Sequence, residues 1–287
     1  MIPSAFDYLA ASTVQEAVQA LSQTDAKVLA GGQSLLPVLR LRLAAPTMLV
    51  DLSRISELRG VRDDGDAIVV GAMTTHHGVL NDPLVAEHAA LLAAATTTVG
   101  DPQIRHRGTV GGALVHADPA GDLLAAAVAL DCEMVIAGPG GRRTVPAAEF
   151  FVDLFTTAVR PDEVLVEIRI PKKTGWGAHY QKFSRVAQAW SIVAVAATVQ
   201  TSNGSIAQAR VALTNMGAVP VRAVGVEQAL VGRPADTQTI RAAAQHAAEG
   251  TNPMSDGNAD VDYREHLARV LTGRAVAAAA RVGNGSV

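Results

Sequence analysis

The sequence predicts an α+β protein in two parts, and three features of the chain carry that prediction. Helical and strand-like segments intermingle up to about residue 175, where residues 171–177, with two lysines and two glycines, read as a linker. Beyond it three strand-like runs follow one another, two of them joined by Asn203-Gly204, a pair that favours tight hairpin turns. The chain then runs through three helical segments. At 287 residues it is long enough for one large domain or two moderate ones, each with its own core. Hydrophobic residues make up 49% and aromatic ones only 3%, so a compact interior must be built from Ala, Val, Leu and Ile.

The elements follow in order. Thr13 and Glu16 have capping-box spacing, and Val14, Ala17, Val18 and Leu21 recur at helical intervals. Residues 27–30 form a short apolar strand that ends at Gly31-Gly32-Gln33-Ser34. A second strand, 48–52, follows a loop containing Pro46, so the chain opens on a small β-α-β piece. Residues 59–62 and 67–71 flank the turn Asp63-Asp64-Gly65-Asp66 and read as a hairpin. Helix signals return at Thr74 and Thr75 and run again from Pro83 to Thr98, after which glycines interrupt the pattern over 100–121. Residues 123–130 read as a helix, 133–137 as a strand ending in Gly138-Pro139-Gly140-Gly141, and 163–170 as a strand stopped by Pro171. Past the linker the expected strands are 180–185, 191–200 and 206–214, and the expected helices 221–231, 237–248 and 263–282.

The formal net charge is −3, with 24 basic against 27 acidic residues, and that near balance argues against nucleic acid as a partner. Cys132 is the one cysteine. It cannot form an intrachain disulfide or supply the roughly four thiolates of an iron–sulfur cluster, and its apolar setting reads as a buried structural thiol. The N-terminus lacks the regions of a signal peptide, and no apolar run approaches the ~20 residues of a membrane helix, so a cytoplasmic protein without a membrane-spanning segment is expected.

Two glycine-rich segments carry the chemistry. In Ala30-Gly31-Gly32-Gln33-Ser34-Leu35-Leu36 a strand ends at paired glycines and enters a helical run. Without a Cβ the backbone there can bend sharply and let a ligand approach, and successive N–H groups can cradle phosphate oxygens. Ser34 adds a hydroxyl donor. The second segment, Gly108-Thr109-Val110-Gly111-Gly112-Ala113-Leu114, again pairs glycines with a small hydroxyl residue. It follows Arg105 and Arg107 and leads to Asp122, which can contact a ligand or cap the next helix. Two such cradles suggest a diphosphate-linked dinucleotide, although neither fits G-x-G-x-x-G and no Walker motif occurs. His76-His77 and His116-Ala117-Asp118 are poor metal sites, and no G-x-S-x-G elbow supports a hydrolase. The clusters Arg40/Arg42, Arg105/Arg107 and Arg142-Arg143 read as solvated surface that could meet an acidic partner or a phosphate.

The pair of segments, from Ala30 to Pro37 and from Arg105 to Gly112, closely resembles the FAD-binding medium subunits of aerobic molybdenum carbon monoxide dehydrogenases. More broadly it resembles the flavin domain of the xanthine dehydrogenase (molybdenum hydroxylase) family, and the resemblance covers nearly the whole chain. It implies an FAD-binding domain of the PCMH (vanillyl-alcohol oxidase-like) type over 1–175, with subdomains at about 1–55 and 56–175. A smaller domain of three antiparallel strands plus helices, of the carbon monoxide dehydrogenase flavoprotein type, would span 176–287. Leu29, Ala30, Gly31, Gly32, Gln33, Ser34 and Leu35 would wrap the pyrophosphate and adjacent flavin, and Val99 and Gly100 would line the pocket. Thr109, Gly111, Gly112 and Ala113 would form the second loop, Asp122 would contact the nucleotide part, and Leu165 and Lys182 would be outlying pocket residues. Many relatives carry Asn or Ser where this chain has Ala113, so a side-chain hydrogen bond is lost there while the backbone role survives.

The resemblance further implies an electron-transfer subunit without a catalytic acid, base, nucleophile or metal of its own. Its partners would be an iron–sulfur small subunit and a molybdenum-cofactor large subunit, in a dimer of heterotrimers that can lie against the inner face of the membrane. Electrons would pass through FAD to an acceptor such as quinone. A stand-alone FAD oxidoreductase with its own substrate pocket and a flavin-free assembly subunit are the rival readings.

Overall fold

The computed structural model describes residues 2–23 and 25–282. Strands β1 (Asp7–Ala10), β2 (Ala26–Leu29) and β3 (Met48–Asp51) make a parallel sheet in the order β1-β3-β2, with α1 (Val14–Leu21) and α2 (Leu35–Arg40) as its connections. β1 has no counterpart in the sequence reading: it is four half-exposed residues too short to show an alternation. The start of α1 departs slightly from a capping box. Thr13 Oγ1 accepts from Glu16 N at 3.1 Å, while the Glu16 carboxylate accepts at 2.7 Å from the N–H of Ser12, one residue earlier than the reciprocal pattern requires.

The hairpin of β4 (Val61–Asp64) and β5 (Ala67–Gly71) leads into six helices. These are α3 (His76–Leu80), α4 (Pro83–His88), α5 (Ala90–Thr97), α6 (Pro102–Arg107), α7 (Val110–His116) and α8 (Asp122–Ala129). The helix expected over 83–98 is two helices, broken at Ala89. The glycine-punctuated stretch 100–121 is also helical in two pieces: Asp101 caps α6, which has Pro102 in its first turn, and Thr109 caps α7. Then come β6 (Glu133–Gly138), β7 (Gly141–Pro146), α9 (Ala147–Phe150), the small hairpin of β8 (Phe151–Asp153) and β9 (Thr156–Thr157), and β10 (Val164–Pro171). The resulting antiparallel sheet has the order β4-β5-β10-β6-β7. Central β10 serves two cores. Val164 and Val166 pack with α1, while Leu165, Ile168 and Ile170 pack with α5, α7 and α8. A bulge between Leu165 and Glu167 restores the alternation to the helical side.

The remaining sheet holds β11 (Gly177–Phe183), β12 (Val193–Ser202), β13 (Ser205–Thr214) and β14 (Val221–Arg222), antiparallel and in that order. The three expected strands are thus joined by a two-residue fourth, taken from the start of the helix expected at 221. Asn203 and Gly204 both have positive φ, as the tight turn between β12 and β13 demands. Helices α10 (Val224–Leu230), α11 (Thr237–Ala243), a 3₁₀ turn at Ala244–Ala248 and α12 (Val261–Val282) cover one face. Toward them point Val193, Val195, Val199, Val211 and Leu213. Toward α5 and α8 the apolar side chains of β12 and β13 are alanines, Ala194, Ala196 and Ala212, with Tyr180 of β11 beside them, so the sheet lies close on a helix, α8, whose residues are all buried. Among the described residues no helix is long and apolar enough to cross a membrane.

Asp131, which ends α8 with φ +54, ties these layers together. Its carboxylate accepts from Arg222 Nη1 at 2.8 Å, Arg210 Nε at 3.0 Å and Lys173 Nζ at 3.4 Å, from β14, β13 and the segment before β11. Asp131→Ala removes the carboxylate shared by three cations, of which Arg222 keeps Glu227, and puts a residue less tolerant of the left-handed backbone at that turn, an expected loss of about 2 kcal/mol. Asp131→Asn keeps the turn tolerance and should lose less. Chemical unfolding of both variants checks this, and wild-type stability in both would show the tie contributes nothing.

Candidate cofactor-binding site

Past Leu29 the chain turns through Ala30–Ser34 into α2. Gly32 has φ +78, where an L side chain is strained. A Cβ at Gly31 would run into the Arg107 carbonyl oxygen and come within 2.7 Å of Gly108 Cα. The two glycine-rich loops, some 75 residues apart in sequence, therefore meet backbone against backbone. Among the described residues no acceptor takes the N–H of Gly31, Gly32, Gln33, Ser34 or Leu35, and the Ser34 hydroxyl makes no cap bond. Gln33 folds its amide onto the Gly31 carbonyl at 3.2 Å. A run of unengaged donors at a bend opened by two glycines suits the oxygens of a pyrophosphate.

The second loop differs from the expectation of an equal cradle. Val110 N donates to Thr74 O at 3.0 Å, Gly111 N to Ala72 O at 2.9 Å, and Gly112 N to Thr109 Oγ1 at 3.1 Å. Its donors are engaged because this loop is tied to the segment after β5, Thr75 bridging Thr109. A Cβ at Gly111 would lie 2.6 Å from Ala72, and one at Gly112 would lie 3.3 Å from the Ala30 side chain. These glycines therefore permit close packing under the first loop, with half-buried Ala113 beside them.

His76, one of the two histidines that follow Thr74-Thr75, is buried beneath this seam. Its N–H donates to Gly108 O at 3.0 Å, and a Cβ at Gly108 would lie 2.9 Å from the imidazole Cδ2. Its Nδ1 is buried without a partner. Burial, reinforced by Arg105, pulls its pKa down to about 4. His77 is the exposed member of the pair and stacks on His106 at 3.8 Å.

Asp122 opens α8 but does not cap it. One carboxylate oxygen accepts from Tyr180 and Ser191 hydroxyls, each at 3.0 Å, and the other accepts from Lys182 Nζ at 2.9 Å. Burial pushes the Asp122 carboxyl above its ordinary range, against the opposing pull of Lys182 and the two hydroxyls, and it pushes the Tyr180 phenol well up, keeping it a donor. Tyr180 and Lys182 share one face of β11, so strand periodicity alone could have paired them; Ser191 carried no such signal. Lys182 Nζ also donates to Thr98 O at 3.2 Å, which sets it beside Val99 and Gly100, whose carbonyls accept from Arg105 at 2.9 and 3.2 Å. The structure thus gathers Leu29–Leu35 with Thr109–Ala113 in one group, and Val99, Gly100, Asp122 and Lys182 in another. Leu165 stands apart, its side chain in the core of β10.

Residues 4–173 match the family model of the FAD binding domain in molybdopterin dehydrogenase, and residues 178–279 match the CO dehydrogenase flavoprotein C-terminal domain. The carbon monoxide dehydrogenase medium chain of Hydrogenophaga pseudoflava is 40% identical over 284 residues, covering 97% of this chain and 98% of that one. The glyceraldehyde dehydrogenase medium chain of Sulfolobus acidocaldarius is 33% identical over 276 residues, covering 96% and 98%. A solved structure of the Hydrogenophaga pseudoflava carbon monoxide dehydrogenase, lacking the Mo-pyranopterin moiety, is similar with TM-score 0.95 at 41% identity, covering 98% of this chain and 99% of that one.

Gly31→Ala should part the two loops and reduce co-purified flavin to a small fraction of wild type. Gly140→Ala, whose Cβ meets nothing within 4 Å, should leave it unchanged. Visible absorbance per mole of protein distinguishes them, and full flavin in Gly31→Ala would refute the seam's role. His76 gives a pH signature. Its folded pKa of about 4 lies below the ordinary 6.5, so the unfolded chain takes up the proton first. Stability from this group is level above 6.5 and falls between 6.5 and about 4, by about 2 kcal/mol at pH 5. Unfolding at pH 7.5 and pH 5 should show a smaller acid loss in His76→Phe than in wild type, and equal losses would refute the linkage.

Proposed function

Because the chain belongs to the FAD-binding family of molybdopterin dehydrogenases, with a carbon monoxide dehydrogenase flavoprotein C-terminal domain behind it, we propose that it works as the electron-delivering subunit of a larger complex. Its partners are an iron–sulfur small subunit and a molybdenum-cofactor large subunit, assembled as a dimer of heterotrimers. When bound, FAD supplies the redox chemistry by which electrons from the partner's clusters reach an external acceptor such as a quinone. The chain's own residues bind and orient. Leu29–Leu35 grip the pyrophosphate through main-chain donors, with Thr109, Gly111, Gly112 and Ala113 beneath them. Val99, Gly100 and Lys182 border the pocket, and Asp122 fixes Lys182 in place while closing the nucleotide side.

The observation that carries this reading is the run of five unengaged N–H groups at the Gly31–Gly108 seam, the donor set a dinucleotide's diphosphate requires. A lone buried cysteine agrees with clusters held by a partner. The division of labour puts substrate choice on the large subunit, in keeping with relatives named for substrates as different as carbon monoxide and glyceraldehyde. The chain itself divides at about residue 175 into an FAD part and a C-terminal part.

Purification of the chain, its visible spectrum and identification of what heat releases test the reading. Flavin bands with FAD in the supernatant are expected, and reduction should require the partner subunits together with their substrate. A protein that stays colourless with added FAD, alone and with its partners, would sink it. A yellow protein bleached by a small-molecule substrate alone would establish the stand-alone oxidoreductase instead.

A further inference from the structure

On β11 the side chains alternate between two environments. Tyr180 and Lys182 turn to Asp122, and His179 and Gln181 turn to the other side, where they line a groove of about 790 Å³ along α12. The groove is therefore separate from the flavin site. Arg269, Arg274 and Arg281 of α12 line it, and Arg241 faces them from α11. No Asp or Glu lines it. Arg269 pairs with Glu265 on its own helix, while among the described residues Arg241, Arg274 and Arg281 have no ion pair. Four guanidinium groups thus collect on one face of a chain whose net charge is −3.

We propose that this groove receives an acidic segment of a partner subunit, an inference that rests on reading the chain as part of a complex. The lining of α12 runs from His266 to Arg281, about 22 Å of helix, enough for roughly seven residues of extended chain. Gly273, Ala277 and Ala278 keep the floor low between the arginines. Arg274 and Arg281 stand two turns, about 10 Å, apart, which spreads the charge as carboxylates are spread along a polypeptide. A phosphate group calls for the opposite arrangement, convergent donors with backbone N–H groups at a bend, and the flank of a continuous helix offers none. Guanidinium forks pair with carboxylates bidentately, and charges set along a groove fix the register of what lies in it.

The test uses the chain co-expressed with its iron–sulfur and molybdenum subunits, with Arg274→Glu/Arg281→Glu as the variant and Arg274→Lys/Arg281→Lys as the charge-conserving control. Flavin content and circular dichroism confirm that each folds, and assembly is followed by size exclusion and titration at several salt concentrations. The expected result is a Glu variant that keeps its flavin but binds its partners at least about tenfold more weakly, a Lys variant close to wild type, and a wild-type affinity that declines with salt. A Glu variant that assembles like wild type overturns the inference and leaves the subunit reading intact. A wild-type chain that binds neither partner overturns both. Saturable binding of ADP or inorganic pyrophosphate to the assembled complex, lost in the Glu variant, would overturn it in favour of a small-anion site.

Discussion

The Gly31 backbone lies so close to the Arg107 carbonyl and Gly108 that the two loops can touch only where one has no side chain. The parallel sheet delivers Gly31 from one direction, and the break between α6 and α7 delivers Gly108 from the other. Behind Gly108 stand the His76 ring and the carbonyls of Ala72 and Thr74, which take the donors of the second loop. The first loop keeps its donors unengaged because its neighbour is fully occupied with packing. Similar glycine pairs thus do different work: one offers hydrogen bonds, the other offers room.

Besides the apolar contact of its alanine face, the C-terminal sheet is held at this end by charge and hydroxyl chemistry. The buried Asp122 carboxylate accepts from three groups on or near β11, an arrangement that compensates for its loss of water. The Asp131 carboxylate does the same at the far end of α8. One buried helix therefore has an acidic anchor at each end, and both anchors are satisfied from the C-terminal sheet. Lys182 reaches Thr98 as a consequence of the first.

The sequence foretold those features whose cause is local. Strand–glycine–helix at Ala30–Leu36, the Thr13 cap and the Asn203-Gly204 turn all act through neighbouring residues, and each lies where it was expected. The glycine segment 100–121 misled because its helices are short, α6 ending at Gly108 and α7 carrying Gly111 and Gly112 in its first turn, so a break in periodicity hid two capped turns. β1 and β7 are edge strands of four and six residues with partly exposed side chains, which leaves little pattern to read. Gly31 and Gly32 stood out as a glycine pair after a strand, and the structure gives each a backbone reason, the close approach at Gly31 and a φ of +78 at Gly32. The burial of His76 and the joining of Asp122 to Ser191 across 69 residues of sequence were not legible, since both arise only when the layers pack.

The alanine face of β12 and β13 bears on entropy. A methyl group has no rotamers to lose, so setting Ala194, Ala196 and Ala212 against α8 costs no side-chain freedom, unlike the burial of leucine or methionine in the same place. At these three positions the junction also lacks the adaptable side chains that let a packed surface settle into alternative arrangements. What it gives up in apolar area it gains in having few ways to fit, with the polar reach of Tyr180 and Lys182 to Asp122 fixing β11 beside it.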